Sequence, residues 1–222
     1  MKKNILLCSL LVAFIAFSNS CKKDSDESNA KILKEDFVDV LNLGSQGWEF
    51  KDNSSPYSVA YWSQGFTGID KAGMKGFPAY SYKKEDDEYA YVGFHSYSND
   101  PVTVSTWMIS PIYEIKNGDK IVFYTRAAPN TGLVDRLQVR LNESDMSADI
   151  GTTATSVGKF TMLLKDVNET SVVDGYPQTW TKYEIAISGL SGPKQCRVAF
   201  RYFVSGAKSN AIGVDAFSLN SL

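Results

Sequence analysis

Histidine is almost absent from the 222-residue chain, which contains only His95. A single histidine excludes metal sites built from several histidines and removes most proton-shuttle chemistry. A hydrolase triad would have to use His95 as its base, and the chain has no Gly-x-Ser-x-Gly sequence to position a nucleophile. A formal charge of −2 also argues against non-specific nucleic-acid binding, which needs a strong positive field.

Cysteine is scarce as well, and the three residues do not make a disulfide framework: Cys8, Cys21 and Cys196. An apolar run from Ile5 to Phe17 follows two lysines, which is the pattern of a secretory signal peptide. The run is too short for a comfortable transmembrane helix. Cleavage before Cys21 leaves Cys196 as the one remaining thiol, so we expect the fold to be held by its core without an internal disulfide.

Small and polar residues at positions 18–20 separate the apolar run from Cys21. A cysteine in this place resembles the cleavage box of bacterial lipoproteins, with Ser18 where Bacteroidetes-type lipoproteins relax the usual aliphatic residue. The resemblance implies a signal peptide at residues 1–20, acylation of Cys21 and attachment to the outer membrane. The alternative is a soluble secreted protein that is cleaved near Ser20 and keeps a free thiol.

Residues 22–30 contain no large apolar side chain, so they cannot bury enough surface to offset chain entropy. We therefore predict a lipidated cysteine and flexible tether at residues 21–33 and a single domain at residues 34–222. Acidic residues just after the lipidated cysteine resemble the surface-export signal of Bacteroidetes lipoproteins. That resemblance implies display on the cell surface, and the alternative is a solvated linker on a periplasm-facing anchor.

Alternation of apolar and polar residues with period two dominates the rest of the chain. The alternating runs are 135–141, 181–187 and 195–202, and the runs that are apolar on both faces are 121–124 and 212–219. The first kind predicts strands with one wet side, from which Arg197 and Arg201 point outward, and the second predicts central strands. Residues 30–43 fit a helix or a first strand. Strands separated by turns, without helices after residue 45, predict an all-β antiparallel sandwich.

Several landmarks occur in a fixed order: Glu35-Asp36-Phe37 with Gly47-Trp48, then Thr106–Pro111, then Trp180–Tyr183, then Val198–Tyr202 with Ile212–Leu219. From Glu35 to Leu219 this order resembles the choice-of-anchor J family, which is related to cleaved-adhesin and MAM-type domains. The resemblance implies a jelly-roll sandwich of MAM or galactose-binding type, and a non-catalytic role in adhesion or carbohydrate binding. Its partner would be a glycan or an extracellular protein. We expect Trp48 and Trp107 to pack between the two sheets.

Calcium is the candidate metal, because it takes hard oxygen ligands from loops and carboxylates. The first and last strands of such sandwiches often lie close together, which would bring Glu35 or Asp36 near Asp215. Regular alternation puts Asp215 on the same side as Phe217, and a buried carboxylate must be paired, ligated or hydrogen-bonded. We therefore predict a structural calcium site at Glu35, Asp36 and Asp215. The alternative partners of Asp215 are backbone amides or an arginine such as Arg126.

Aromatic residues outside the strand core give the candidate ligand site. The segment 56–66 combines Tyr57, Tyr61 and Trp62 with amides and hydroxyls, and residues 79–82 and 89–91 add further tyrosines. The apolar face of a sugar ring stacks on a flat side chain while polar groups take its hydroxyls. We therefore predict ligand binding by Tyr57, Tyr61 and Trp62. Because Tyr61 and Trp62 are adjacent, one should face inward, and the alternative is that these rings cover a sandwich edge.

Two further classes of function stay open. A glycan-directed enzyme would need two positioned carboxylates, but the acids at residues 85–88 are adjacent and point in different directions. A structural component of the cell surface would show a broad apolar patch. Nothing in the pattern specifies one ligand or an oligomeric state.

Overall fold

The computed structural model describes residues 32–56, 60–71, 73–80, 87–93, 102–129, 132–205 and 209–221. The predicted signal peptide, Cys21 and nearly all of the predicted tether lie outside these residues, as do Tyr57 and His95. No helix in the described part of the chain is both long and apolar enough to cross a bilayer.

Twelve strands and one 3₁₀ helix make up the regular structure of the described chain. In chain order they are β1 Ile32–Glu35, the 3₁₀ helix Val40–Gln46, β2 Glu49–Asp52, β3 Tyr61–Gln64, β4 Ala90–Gly93, β5 Thr103–Ile109, β6 Tyr113–Ile115, β7 Lys120–Ala127, β8 Leu137–Asn142, β9 Met162–Val167, β10 Thr181–Ala186, β11 Lys194–Ser205 and β12 Ala211–Asn220.

The strands form two six-stranded antiparallel sheets. Sheet A has the order β10-β7-β12-β4-β3, with β1 also paired to β12. Sheet B has the order β2-β5-β11-β8-β9, with β6 also paired to β11. The predicted all-β antiparallel sandwich is confirmed. The runs that are apolar on both faces became β7 and β12, which lie inside sheet A as predicted.

The main core fills the space between the sheets with interlocking rings. Phe217 contacts Trp48 edge-on at 5.9 Å between centroids and Phe200 at 5.7 Å, and Phe200 contacts Phe123 at 5.3 Å. All four side chains are at most 3% exposed. Edge-to-face ring contacts stabilise a core beyond the free energy gained by burying the rings. This ring cluster therefore holds the two sheets together. The predicted position of Trp48 is confirmed.

The beginning of the domain differs from both predictions for residues 30–43. A short strand ends at Glu35, and the 3₁₀ helix begins at Val40 after the side chain of Asp39 accepts a hydrogen bond from the amide of Asn42. Phe37 adopts a positive φ of 50° and turns the chain between the two elements. β1 starts at Ile32, two residues before the predicted domain boundary, because Ile32 pairs with Asn220 of β12.

Sheet B carries a layer of structure on its outer face, which corrects two predictions. Trp107 is fully buried, yet it lies outside the sandwich against Phe160, 5.6 Å between ring centroids, under the segment 148–160. Arg201 points away from the core as predicted but is only 1% exposed. Alternation assigns a side chain to one side of a strand, whereas a loop that crosses the sheet decides whether that side meets water.

A β-bulge in β12 corrects the predicted orientation of Asp215. The register shifts between Asp215 and Ser218, and Ala216 has a positive φ of 48°. Val214 and Phe217 both belong to the main core, although they are three residues apart. The extra residue reverses the alternation. Asp215 therefore lies on the outer side of sheet A, opposite to Phe217, and is fully buried there.

Candidate functional site

The outer face of sheet A is covered by a set of rings that we call the aromatic cover: Phe66, Phe77, Tyr89, Tyr91 and Trp180. Phe77 stacks on Tyr89 at 4.8 Å between centroids and meets Trp180 edge-on at 5.6 Å. Beneath them β12 has Gly213, where a Cβ atom would lie 2.8 Å from Phe77 and 2.9 Å from Trp180. The missing side chain lets the rings pack directly on the strand.

Hydrogen bonds to backbone fix the aromatic cover in place. The Tyr89 hydroxyl donates to the carbonyl of Phe66 at 2.8 Å and accepts from the amide of Phe77 at 3.3 Å. Burial raises the pKa of Tyr89 to about 12, so this phenol keeps its proton at neutral pH. The Trp180 indole donates to the carbonyl of Pro78 at 2.9 Å. The segment leading to residue 80 is therefore held at defined points.

At the border of the aromatic cover lies a site that we call the tyrosine platform: Tyr80, Tyr124, Lys182 and Asp215. Tyr80 stacks on Tyr124 with 3.6 Å between centroids and 16° between ring planes. Strand register places Lys182 beside Tyr124 and Tyr124 beside Asp215, on β10, β7 and β12. The amide of Tyr80 donates to Asp215 Oδ2 at 2.9 Å. Tyr80 is 43% exposed, so the platform offers a fixed ring to solvent.

The charges around the platform are balanced. A hydrogen bond to the Tyr124 side chain raises the pKa of Tyr80. Glu184 accepts from Lys120 at 2.9 Å and from Lys182 at 3.2 Å, and these bonds lower the pKa of Glu184. The site therefore offers phenol hydroxyls, two lysine side chains and the carboxylate of Glu184. Such groups can take the hydroxyls of a polar ligand lying on the Tyr80 ring.

The structure separates the residues predicted to bind a ligand. Tyr61 is 67% exposed, whereas Trp62 is 6% exposed and packs in the main core. The predicted opposition of these neighbours is confirmed, and Trp62 is removed from contact with any ligand. Tyr61 lies on β3, which β12 and β4 separate from the strand of Tyr124. Tyr61 and the platform are therefore distinct places on one face.

The residues predicted to bind calcium do not converge. Asp215 accepts from the amides of Tyr80 at 2.9 Å and Ala216 at 2.6 Å, as in the backbone-amide alternative. Glu35 faces Phe217 in the register and accepts from the amide of Phe37 at 2.8 Å. Within the described ranges, no three His, Cys, Asp or Glu residues lie together as a metal site. Calcium binding at Glu35, Asp36 and Asp215 therefore stays a prediction.

A second buried acid lies near the end of β11. Asp135 is 4% exposed, and its Oδ1 accepts from the Tyr202 hydroxyl at 2.6 Å and from the amide of Asn210 at 3.1 Å. Burial raises the pKa of Asp135 to about 6. A cavity of about 10 Å³ adjoins it, lined in part by Tyr176 and Asn210. That volume is about one water molecule's probe sphere, too small for a sugar.

A larger cleft of about 540 Å³ opens where the edges of the two sheets meet. Its lining is Leu33, Ile112, Tyr113, Glu114, Gln195, Leu219 and Ser221. Glu114 is the one acid of this lining, so the cleft does not supply the facing carboxylates of a glycosidase. Of the acidic run at residues 85–88, the described part places Asp87 at the surface and buries Glu88.

Three solved structures resemble this sandwich along nearly their whole length. The K1 and K3 cleaved adhesin domains of Lys-gingipain from Porphyromonas gingivalis W83 are 17% and 15% identical, with TM-scores of 0.53 and 0.54. Each match covers 86% of this chain and 99% or 98% of the other. The K2 domain is 12% identical with a TM-score of 0.53, covering 85% and 99%. The fold is that of the cleaved adhesin domains.

This likeness confirms the cleaved-adhesin part of the predicted resemblance as a statement about fold. Neither a family model nor a curated protein matches the chain. Within the cleaved-adhesin fold, the sequence pattern missed the tyrosine platform, because Tyr80 and Tyr124 are 44 residues apart. Each tyrosine had a separate local signal in the sequence. Tyr80 belongs to the tyrosine-rich residues 79–82, and the alternation of β7 points Tyr124 away from the core.

Proposed function

We propose that the chain is a non-catalytic adhesion domain of choice-of-anchor J type that binds carbohydrate through the tyrosine platform. One observation carries the proposal: an exposed ring, Tyr80, is fixed on Tyr124 at 3.6 Å and is bordered by ionic side chains. A ring that is already ordered loses little entropy when a sugar stacks on it. Lys182 and the two phenols supply the hydrogen bonds that orient such a ligand.

The acids at and beside the tyrosine platform support binding rather than hydrolysis. A glycosidase needs a carboxylic acid with a raised pKa that protonates the leaving group. The two lysines lower the pKa of Glu184 instead. Asp215 is fully buried and holds the amides of Tyr80 and Ala216. These carboxylates position the platform.

We further propose that the domain is displayed on the outer membrane through lipid on Cys21. The signal-peptide pattern, the cysteine that follows it and the polar residues 22–30 support this anchor. β1 begins at Ile32, which leaves ten residues between the acylated cysteine and the first paired residue. An extended chain of that length spans about 35 Å, enough to hold the domain clear of lipid headgroups.

A glycan-array screen of the processed chain tests the binding proposal, followed by titration of the best ligand against variants. Tyr80→Ala should weaken binding at least tenfold, because it removes the stacking ring while Tyr124 and the sheet remain. Phe50→Ala is the matched control, since Phe50 is 40% exposed on β2 of the other sheet. An array without bound glycans, or equal affinity of Tyr80→Ala and wild type, would contradict the proposal.

Tyr61→Ala belongs in the same series, because Tyr61 was predicted from sequence as a ligand contact. It should leave the affinity within about twofold of wild type if the ligand is confined to the platform. If Tyr61→Ala loses affinity and Tyr80→Ala does not, the ligand binds at β3 and not at the tyrosine platform.

A further inference from the structure

Sheet B carries an excess of positive charge on its outer face. The cationic side chains there are Lys51, Arg136, Arg140, Arg197 and Arg201. In the described chain, the carboxylates within ion-pair distance of them are Glu49, which contacts Lys51 and Arg197, and Asp166, which contacts Arg136. The formal charge of the chain is −2, so this positive face is a local feature.

The excess positive charge is concentrated at Arg140 and Arg201, because their hydrogen bonds go to neutral acceptors. Arg201 donates from Nε to Ser105 Oγ at 3.0 Å and from Nη1 to Gln138 Oε1 at 3.2 Å. Arg140 donates from Nε to the same Gln138 oxygen at 2.9 Å and from Nη1 to the carbonyl of Phe160 at 3.2 Å. Its Nη2 has no hydrogen-bond partner among the described residues.

The two guanidinium groups differ in access to solvent. Arg201 is buried between aromatic rings, 4.8 Å from the centroid of Trp107 and 3.9 Å from that of Phe203. Arg140 is partly exposed at the boundary of the covering segment. Burial and the neighbouring arginines lower the pKa of Arg201 to about 9. A nearby anion would relieve this repulsion, and Arg140 is the group that it can reach.

Arg136 extends the positive surface to the start of β8, and its side chain is 19% exposed. Asp166 binds it through two hydrogen bonds, and the exposed Glu169 adds a more distant negative charge. Asp166 also attracts Arg140 and Arg201 at longer range, but of the three arginines it hydrogen-bonds Arg136. Arg136 and Arg140 are both partly exposed and lie on the same side of the chain along β8, four residues apart. Positive groups spaced along a strand suit a linear polymer better than a single enclosed ion.

We infer that this part of the outer face of sheet B, centred on Arg140, binds an anionic polysaccharide that carries sulfate or carboxylate groups. The guanidinium of Arg140 presents its unused Nη2 to one anionic group, and the buried Arg201 strengthens the positive potential behind it. The site lies on the opposite sheet from the tyrosine platform, so the two binding sites are independent.

Titration of the full-length processed protein with a heparin octasaccharide tests the inference. Wild type should bind it at low ionic strength and lose affinity as salt rises, because the contacts are between opposite charges. Arg140→Gln should weaken binding at least fivefold. Lys34→Gln removes the same charge from an exposed position on β1 of the other sheet, and it should change the affinity less than twofold.

Arg140→Lys and a thermal melt separate binding from folding. The lysine variant keeps the charge, so it should retain more affinity than Arg140→Gln at similar stability. If Arg140→Gln lowers the melting temperature but leaves heparin affinity unchanged, the arginine only clamps the loop carbonyl, and the inference is wrong. It is also wrong if wild type fails to bind, if Lys34→Gln weakens binding equally, or if Arg140-dependent binding occurs only with anionic lipid vesicles.

Discussion

Asp135 shows at the residue scale how burial alone changes a carboxyl group. It has two hydrogen bonds, from Tyr202 and Asn210, and no ion pair in the described chain. These bonds favour the carboxylate, but loss of hydration outweighs them and raises the pKa to about 6. The folded state therefore binds a proton more tightly than the unfolded chain, whose Asp pKa lies near 3.9.

The sign of the resulting pH dependence follows from that difference. Between about pH 4 and pH 6 the folded state holds more protons at this site, so the free energy of unfolding falls as pH rises. From pH 4.5 to pH 7.5 we expect Asp135 to contribute a loss of about 2 kcal/mol. Asp135→Asn should remove this contribution, as urea unfolding of both proteins at the two pH values will measure.

Exposed Glu169 provides the control, because Glu169→Gln removes a carboxyl group that is not buried. Its pH dependence should parallel that of wild type. Parallel curves for Asp135→Asn and wild type would show instead that Asp135 titrates like a solvated acid.

At the scale of one element, close packing of rings on β12 makes stability sensitive to the size of residue 213. Gly213→Ala would place a methyl group 2.8 Å from Phe77 and 2.9 Å from Tyr89. The aromatic cover would have to shift, because both rings are buried and Tyr89 is tied to backbone. We expect a loss of about 1–3 kcal/mol in the free energy of unfolding, measured by chemical denaturation.

Gly192→Ala is the matched control for this substitution. A Cβ atom at Gly192 would have no heavy atom within 4 Å, and its backbone does not need a positive φ. It should change the stability by less than about 0.5 kcal/mol. Equal changes in the free energy of unfolding at the two positions would mean that the rings of the aromatic cover shift at little cost. That result would also weaken the case for a fixed tyrosine platform.

Strand alternation predicted the elements well and their surroundings less well. It assigned Tyr61 and Trp62 to opposite sides correctly. It failed at Asp215, because the bulge uses Ala216 at a positive φ, where no glycine gives warning in the sequence. It also placed Trp107 in the wrong layer. Periodicity carries no information about a loop 40 residues away that crosses the outer face.

The candidate sites were the least predictable part of the molecule. Tyr80 and Tyr124 meet through the packing of one segment on a sheet, and Arg140 and Arg201 through the pairing of β8 with β11. Neither contact has a local spacing that sequence patterns can detect. By contrast, the sandwich class follows from local runs of four to eight residues, each of which shows its strand pattern without reference to the rest of the chain.

At the scale of the whole molecule, the proposed anchor is tested by Cys21→Ser. Several acyl chains hold a protein on a membrane firmly, whereas one chain is only marginal. The variant should appear in the soluble fraction or accumulate with its signal peptide uncleaved, as fractionation and intact mass will show. Cys196→Ser is the control, because that thiol is buried in the core and should not affect membrane attachment. A variant cleaved and membrane-bound like wild type would disprove acylation at Cys21.

The pairing of β1 with β12 has a mechanical consequence if the domain is anchored as proposed. Tension from the tether enters the domain at Ile32, and a pull from a ligand enters at Tyr124 and Asp215 of the same sheet. The load path therefore runs from β1 through β12 to β7 without crossing the core between the sheets. Four register pairs, from Ile32 with Asn220 to Glu35 with Phe217, form its shortest link. Under force this link should yield first, and the rest of sheet A would keep its hold on the ligand.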